Sequence, residues 1–451
     1  MTAKPSPEGT GQRLYREARH LIPGGVQLLS KRPEMYAPDL WPAYYQSAAG
    51  CEVVDLDGNR YIDMSNMAVG AAALGYADPD VNAAVVDRIQ RGSICTLNAP
   101  EEVALARALI DLHRWAQQVR YARTGGEAMA VAVRIARAAT RRDVIAFCGY
   151  HGWSDWYLAA NLAPAAGDAT DALRGHLLPG LDPLGVPAQL AGTMLPFHYN
   201  AIDELRAIVN AHGRNLAAVV MEPVRYTDPT DGFLHKVRQL CDDSGARLVF
   251  DEITIGWRLN LGGAHLRLGV EPDVAVFGKT LGNGHPMAAI IGRAATMDAA
   301  QDSFISSSYW TEAVGPAAAL AFIDKAARID LPAHSRRIGE RLRSAMTDAA
   351  AHRGVPIKAV GYPACQTISF DVSDTDQQAA LQTLMNIRML ERGVLWSGQS
   401  FATYGHRDKH VDAVAAAADE VYAELADAIA AGDALRRIGG RVKHSGFARL
   451  T

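Results

Sequence analysis

At 451 residues, 49% of them hydrophobic, the chain is long enough for one large domain with a smaller one, or for two to three ordinary domains, and it buries a sizeable core. Its 45 basic and 49 acidic residues leave a net charge of −4 with no long single-sign run, so the electrostatic footprint of a nucleic-acid binder is missing and small molecules are the expected partners. Five cysteines (Cys51, Cys95, Cys148, Cys241, Cys365) are widely spaced, odd in number and form no C-x-x-C pair, which excludes a disulfide framework or a cysteine zinc site and reads as reduced core thiols.

The N-terminal "MTAKPSPEGTGQRLYREA" lacks a basic stretch followed by an apolar one, and no apolar run approaches the ~20 residues of a membrane span, so a soluble cytoplasmic protein is expected. The first dozen residues read as frayed, followed by a short helix in "LYREARHLIPGGV" that stops at Pro23-Gly24-Gly25. Alternating apolar and polar residues on either side of Asp57-Gly58, in "CEVVDLDGNRYIDM", predict a β-hairpin. From about residue 80 to 330 apolar helices alternate with short apolar strands. The expected helices are 101–117, 126–141, 201–212 and 233–244; the expected strands are 118–123, 143–148, 216–221, 247–251 and 273–277. That alternation predicts a mostly parallel sheet covered by helices on both faces, with ligands beyond the carboxyl ends of its strands. Residues 161–192, rich in Gly, Pro and Ala, read as a long loop. Near residue 320 the texture turns to Ala/Arg-rich helix, then a strand in "ACQTISFDV" and helices at 375–392 and 408–431, as in a smaller α+β domain. The expected division is 1–75 as an N-terminal segment belonging to the small domain, 76–320 as the large domain and 321–451 as the rest of the small one.

Chemistry concentrates at the predicted strand ends. The segment "LVFDEITIGWR" delivers Asp251 and Glu252 at the end of an apolar run; alone it reads more readily as a solvated acidic turn than as a ligand site. A second run, "VAVFGKTLGNG", ends in Lys279 among glycines, and an amine so placed is a good imine-forming nucleophile. A lysine facing a carboxylate that can hold a pyridinium proton follows the electron-sink logic of pyridoxal phosphate. The strand-to-helix turn Arg123-Thr124-Gly125-Gly126, with Glu127 opening the helix, supplies backbone N–H groups for a phosphate, although a lone Gly-Gly also marks an ordinary turn. "FCGYHGWSDWY" places Tyr150 and His151 after another strand, where an aromatic side chain either stacks on a heterocycle or packs on neighbouring loops.

These four segments, in this order, resemble the class III (ω-) aminotransferases within the fold-type I pyridoxal phosphate enzymes, from about Pro23 to the C-terminal helix. The most specific elements are D-E-x-x-x-G-[aromatic]-R, Asp251 to Arg258, and G-K-x-x-G-N-G-x-P, Gly278 to Pro286. The resemblance implies an α/β fold with a large, mostly parallel seven-stranded sheet, pyridoxal 5′-phosphate as cofactor, an amino donor and a carbonyl acceptor as substrates, and a homodimer with shared sites. It implies Lys279 as Schiff-base lysine and proton shuttle, Asp251 at the pyridine nitrogen, Tyr150 and Ile253 on the two ring faces, and Gly125, Gly126 and Glu127 as the phosphate turn. Glu222 in "VVMEPV" matches a strand-end glutamate near the cofactor, and Ser308, or less closely Thr311, falls where a neighbouring subunit's threonine binds the phosphate. Three departures stand out. Gly126 replaces a serine or threonine, Leu28 and Leu29 replace a polar pair seen after "PGGV" in glutamate-1-semialdehyde aminomutase, and Trp153, Trp156 and Tyr157 crowd the turn after Tyr150. Arg258, Arg123, Lys31 and Arg32 are candidates for a substrate carboxylate. The same residues would serve a 2,1-aminomutase or a racemase. Lys279 and Asp251 together speak against a relative that only binds ligands.

Overall fold

The computed structural model of the chain describes residues 5–162 and 181–444, and these divide into two units, Pro79–Asp330 and the residues on either side of it. The central unit is built on seven strands: β4 (Gln118–Ala122), β5 (Val144–Cys148), β6 (Met194–Pro196), β7 (Leu216–Met221), β8 (Arg247–Asp251), β9 (Val274–Phe277) and β10 (Ala288–Gly292). Their order is β4-β10-β9-β8-β7-β5-β6, with every neighbouring pair parallel except the two made by β10. This is the mostly parallel seven-stranded sheet that the alternation and the resemblance lead one to expect.

Every residue of β5, β7, β9 and β10 is buried. Strand side chains alternate between faces, so continuous burial requires cover on both. Ile145, Phe147 and Val249 pack on one side with Ala132 and Ile135 of the helix Gly125–Thr140. Val144, Ala146 and Leu248 pack on the other with Leu205 of the helix Ile202–His212 and Val237 of the helix Phe233–Ser244.

The second unit has a four-stranded sheet in the order β1-β2-β3-β13 and a three-stranded sheet β11-β12-β14. The ranges are β1 (Tyr45–Ala49), β2 (Glu52–Asp55), β3 (Arg60–Asp63), β11 (Ile357–Tyr362), β12 (Cys365–Phe370), β13 (Val394–Leu395) and β14 (Gln399–Phe401). The expected hairpin is present: Val53 faces Tyr61 and Val54 faces Arg60 across β2 and β3, with Gly58 at φ 81° in its turn. β13 pairs in parallel with β3, so the two ends of the chain share a sheet. Ile338, Leu342 and Met346 of the helix Leu331–His352 meet Leu384 of Thr375–Glu391 and Val414 and Val421 of Asp408–Ala431 in its core.

Two expectations are corrected, and two strands were not foreseen. The N-terminal stretch is not frayed up to its twelfth residue: the helix starts at Thr10, whose N–H donates to Asp57 Oδ2 at 2.9 Å. The helix expected over 101–117 spans Pro100–Leu112, because the buried His113 turns back and hydrogen bonds through Nδ1 to the Leu109 carbonyl at 2.8 Å. β6 and β10 went unrecognised. β6 is a three-residue edge strand that ends in proline, and β10 is rich in Ala and Gly, which carry little strand preference. Of the long loop 161–192, residues 163–180 lie outside the described residues.

Candidate active site

The carboxyl ends of β5, β7, β8 and β9 point the same way because these strands are parallel, and β4 joins them because two antiparallel steps through β10 restore its direction. The candidate residues Gly125, Tyr150, Glu222, Asp251 and Lys279 each follow or close one of these strands, so the topology brings all five to one edge of one sheet. Asp251 lies opposite Val276 in the β8–β9 ladder, and Lys279 emerges just beyond it.

Asp251 is buried, and both its oxygens are held. Oδ1 accepts the Ile253 N–H at 3.0 Å, and Oδ2 faces Nδ1 of the fully buried His151 at 2.8 Å. The other nitrogen of that ring, Nε2, faces the Cys148 carbonyl at 3.1 Å. The imidazole thus ties Asp251 to the end of β5. Glu252 turns away from Asp251 into the core, where it accepts the N–H groups of Ala264 and His265 at 3.0 Å each and meets His265 Nδ1 at 2.7 Å. It anchors the loop after β8 rather than facing solvent.

Lys279 sits in the left-handed region, φ 43°, an uncommon backbone for a residue with a side chain and one that clusters at functional sites. Its Nζ donates to Thr254 Oγ1 at 2.7 Å. Glu222 pairs with Arg225 Nη1 at 3.1 Å; burial, reinforced by the nearby Asp251 carboxylate, pushes its acid upward, and Arg225 opposes that. Burial, with Asp251 behind it, also raises the Tyr150 phenol, while the residue keeps 43% of its surface exposed. Tyr157 donates to the Gly149 carbonyl at 2.8 Å, and its ring meets those of Tyr150 and His151 edge-on and packs on Trp156, whereas Trp153 is 71% exposed and stands outside this cluster.

The turn after β4 is a capping box. Thr124 Oγ1 takes the Glu127 N–H at 3.3 Å, while Glu127 Oε2 takes the N–H of Arg123 at 3.1 Å and of Thr124 at 3.0 Å. Glu127 is thus the cap, its own amide is committed, and the amides at the mouth of the helix are those of Gly125 and Gly126. A Cβ on Gly125 would lie 2.9 Å from Ile253 Cδ1 and one on Gly126 3.2 Å from Nε1 of the exposed Trp153, so a side chain at either place would have to shift a neighbour.

Arg123 is not available to a substrate. It is ion-paired to Glu312 at 2.8 Å and donates to the carbonyls of Trp310 and Glu312 at 2.9 and 2.7 Å, tying the glycine turn after β4 to the segment that carries Ser308 and Thr311. Those two residues bound a single 3₁₀ turn, closed by Thr311 Oγ1 donating to the Ser308 carbonyl at 2.8 Å. Arg258 is buried and donates through Nε to the Thr254 carbonyl at 2.7 Å. Sequence reasoning noticed His151 without giving it a role, although a histidine next to Tyr150 at a strand end was a usable signal. It passed over Thr254, for which the sequence offers no signal apart from its place between Asp251 and Arg258.

A profile of the family "Aminotransferase class-III" matches residues 36–401. The chain is similar to the 3-aminobutyryl-CoA aminotransferase of Cloacimonas acidaminovorans, 30% identical over 426 residues that cover 91% of this chain and 96% of the relative. It is also similar to the glutamate-1-semialdehyde 2,1-aminomutase of Anaeromyxobacter dehalogenans, 32% identical over 439 residues covering 92% and 98%. Among solved structures it is similar to the FumI protein of Sphingopyxis sp. MTA144 in its PLP internal aldimine form, with a TM-score of 0.83, 26% identity and coverage of 94% and 98%. Matched along most of its length by that profile and by relatives it spans almost end to end, the chain belongs to the class-III aminotransferase family.

Proposed function

We propose that this chain is an aminotransferase that uses pyridoxal 5′-phosphate and works through Lys279, moving an amino group from an amine or amino acid to a keto acid, aldehyde or ketone. The observation that carries this reading is the delivery of Lys279 and the doubly held Asp251 to one sheet edge by adjacent parallel strands. The residues fit the group: an amine, a buried carboxylate and two glycine amides at a helix mouth. The chemistry pyridoxal 5′-phosphate supplies when bound is an aldehyde that condenses with amines and a ring that accepts an electron pair.

Lys279 would hold that aldehyde at rest, and, once displaced by a donor amine, its Nζ would take a proton from the donor carbon and deliver it to the carbon on the other side of the transferred nitrogen. Asp251 keeps the ring nitrogen protonated, and His151 keeps Asp251 oriented. Tyr150 and Ile253 flank the ring, the Gly125 and Gly126 amides receive the phosphate, with Glu127 capping that helix, and Glu222, paired with Arg225, orients neighbours near the ring. A homodimer belongs to the proposal, with Ser308 or Thr311 serving the phosphate of a second copy. In the single chain Leu97, Phe304 and Tyr309 are 78%, 90% and 72% exposed, apolar surface that a partner would cover. Among the described residues no helix is long and apolar enough to cross a membrane, and none of the five cysteines is joined in a disulfide, which suits the reducing cytoplasm.

Similarity to aminomutases at comparable identity sustains a second reading, in which the amine returns to the same carbon skeleton. One experiment separates them: purified protein is given an amine with pyruvate or 2-oxoglutarate, and products are resolved by mass. Net amination of the keto acid is expected. Conversion of glutamate-1-semialdehyde without any acceptor, and no amination of keto acids, would replace the aminotransferase reading with the aminomutase one.

A further inference from the structure

Resting on the aminotransferase reading, we infer that Thr254 is a positioning residue for Lys279: its hydroxyl holds the lysine amine whenever that amine is not joined to a carbonyl group. The contact is short, 2.7 Å from Nζ to Oγ1, and both partners are constrained from behind. On the lysine side, the backbone is fixed in the left-handed region at φ 43°, and the next residue, buried Thr280, donates its hydroxyl to the Gly256 carbonyl at 3.3 Å. On the threonine side, the main chain is pinned by buried Arg258, whose Nε donates to the Thr254 carbonyl at 2.7 Å, while the Gly256 N–H closes the turn on the Glu252 carbonyl at 2.8 Å. The hydroxyl is therefore a fixed acceptor on a fixed turn.

A lysine side chain left unheld would otherwise sample many rotamers, and ordering it again costs side-chain entropy. With one N–H direction of Nζ claimed by Thr254, the amine is kept close to the end of β8, where Asp251 stands, and fewer orientations have to be searched before it meets a carbonyl carbon. The same contact gives Arg258 a task. This arginine, a candidate for a substrate carboxylate by sequence, is turned instead to the Thr254 main chain.

The test uses enzyme stripped of cofactor, with added pyridoxal 5′-phosphate as probe and its absorbance change on capture by Lys279 as readout. Thr254→Val, which keeps shape and removes the hydroxyl, and Thr254→Ala are both expected to capture the probe about tenfold more slowly than the natural protein, with the final stoichiometry unchanged. Thr254→Ser is expected to capture at the natural rate. Capture by Thr254→Val or Thr254→Ala at the natural rate or faster overturns the inference, and so does a Thr254→Ser protein as slow as these two. Natural protein that captures no probe at all refutes the cofactor reading itself, a result distinct from equal rates across the Thr254 series.

Discussion

Asp251 shows how neighbouring groups fix a single side chain from more than one side. Its carboxylate is fixed by the Ile253 amide on one oxygen and by His151 on the other, and His151 is itself tied to the Cys148 carbonyl. Charge-assisted bonds of this kind hold direction as well as charge. Replacement of Asp251 by Asn keeps the shape and removes the charge, so amino transfer is expected to fall at least about a hundredfold while the protein still folds, as read from single-turnover rates beside a circular dichroism spectrum. Activity within a few-fold of the natural protein would show that this carboxylate does not support the ring. At this scale Lys279, Asp251 and the glycine turn stood out because their residue types are unusual at strand ends. Thr254 did not, since its importance comes from the turn it occupies.

Elements position these residues only if they meet without gaps or clashes. Within the terminal unit the helix Leu331–His352 crosses the turn between β11 and β12 so closely that a Cβ on Gly339 would lie 1.8 Å from the Pro363 carbonyl oxygen. The Gly339 carbonyl also accepts from Gln366 Nε2 at 2.9 Å, so neither side gives way easily. Gly339→Ala raises intrinsic helix preference yet is expected to destabilise the protein by about 1–3 kcal/mol through overpacking, seen as a lower urea midpoint. An unchanged or higher midpoint would show that the contact relaxes. The large apolar strands and long helices were legible in the sequence because their periodicity is strong over several turns. β10 was not: Ala288-Ala289-Ile290-Ile291-Gly292 becomes a strand because β4 and β9 flank it, a tertiary cause that local pattern does not carry.

For the molecule as a whole, buried histidines set an acid limit. Burial pushes His113 and His406 down to about 4 from the ordinary 6.5, and His406 is neutral by geometry too, since its Nδ1 accepts the Thr403 N–H at 3.1 Å. A histidine lowered in the folded state leaves the unfolded chain binding more protons between the two values. The stability it contributes is therefore complete above about pH 6.5 and is lost as pH falls toward 4, about 3 kcal/mol at most for each. The urea midpoint is expected to decline from pH 6.5, before carboxylates titrate, and His406→Gln is expected to flatten the decline. A midpoint that stays level down to pH 5 would contradict this. The order in which the chain's strand ends converge was foreseeable from the family resemblance, while the substrate was not, because two of the four cationic candidates, Arg123 and Arg258, turned out to hold backbone carbonyls.

The attachment point of the cofactor decides the matter most directly. Protein loaded with pyridoxal 5′-phosphate is reduced with borohydride, digested and mapped by mass spectrometry. The expected result is one phosphopyridoxyl group, on the peptide that contains Lys279, and its absence from Lys279→Ala protein. A tag on another lysine, or none on the natural protein, would contradict the site described above.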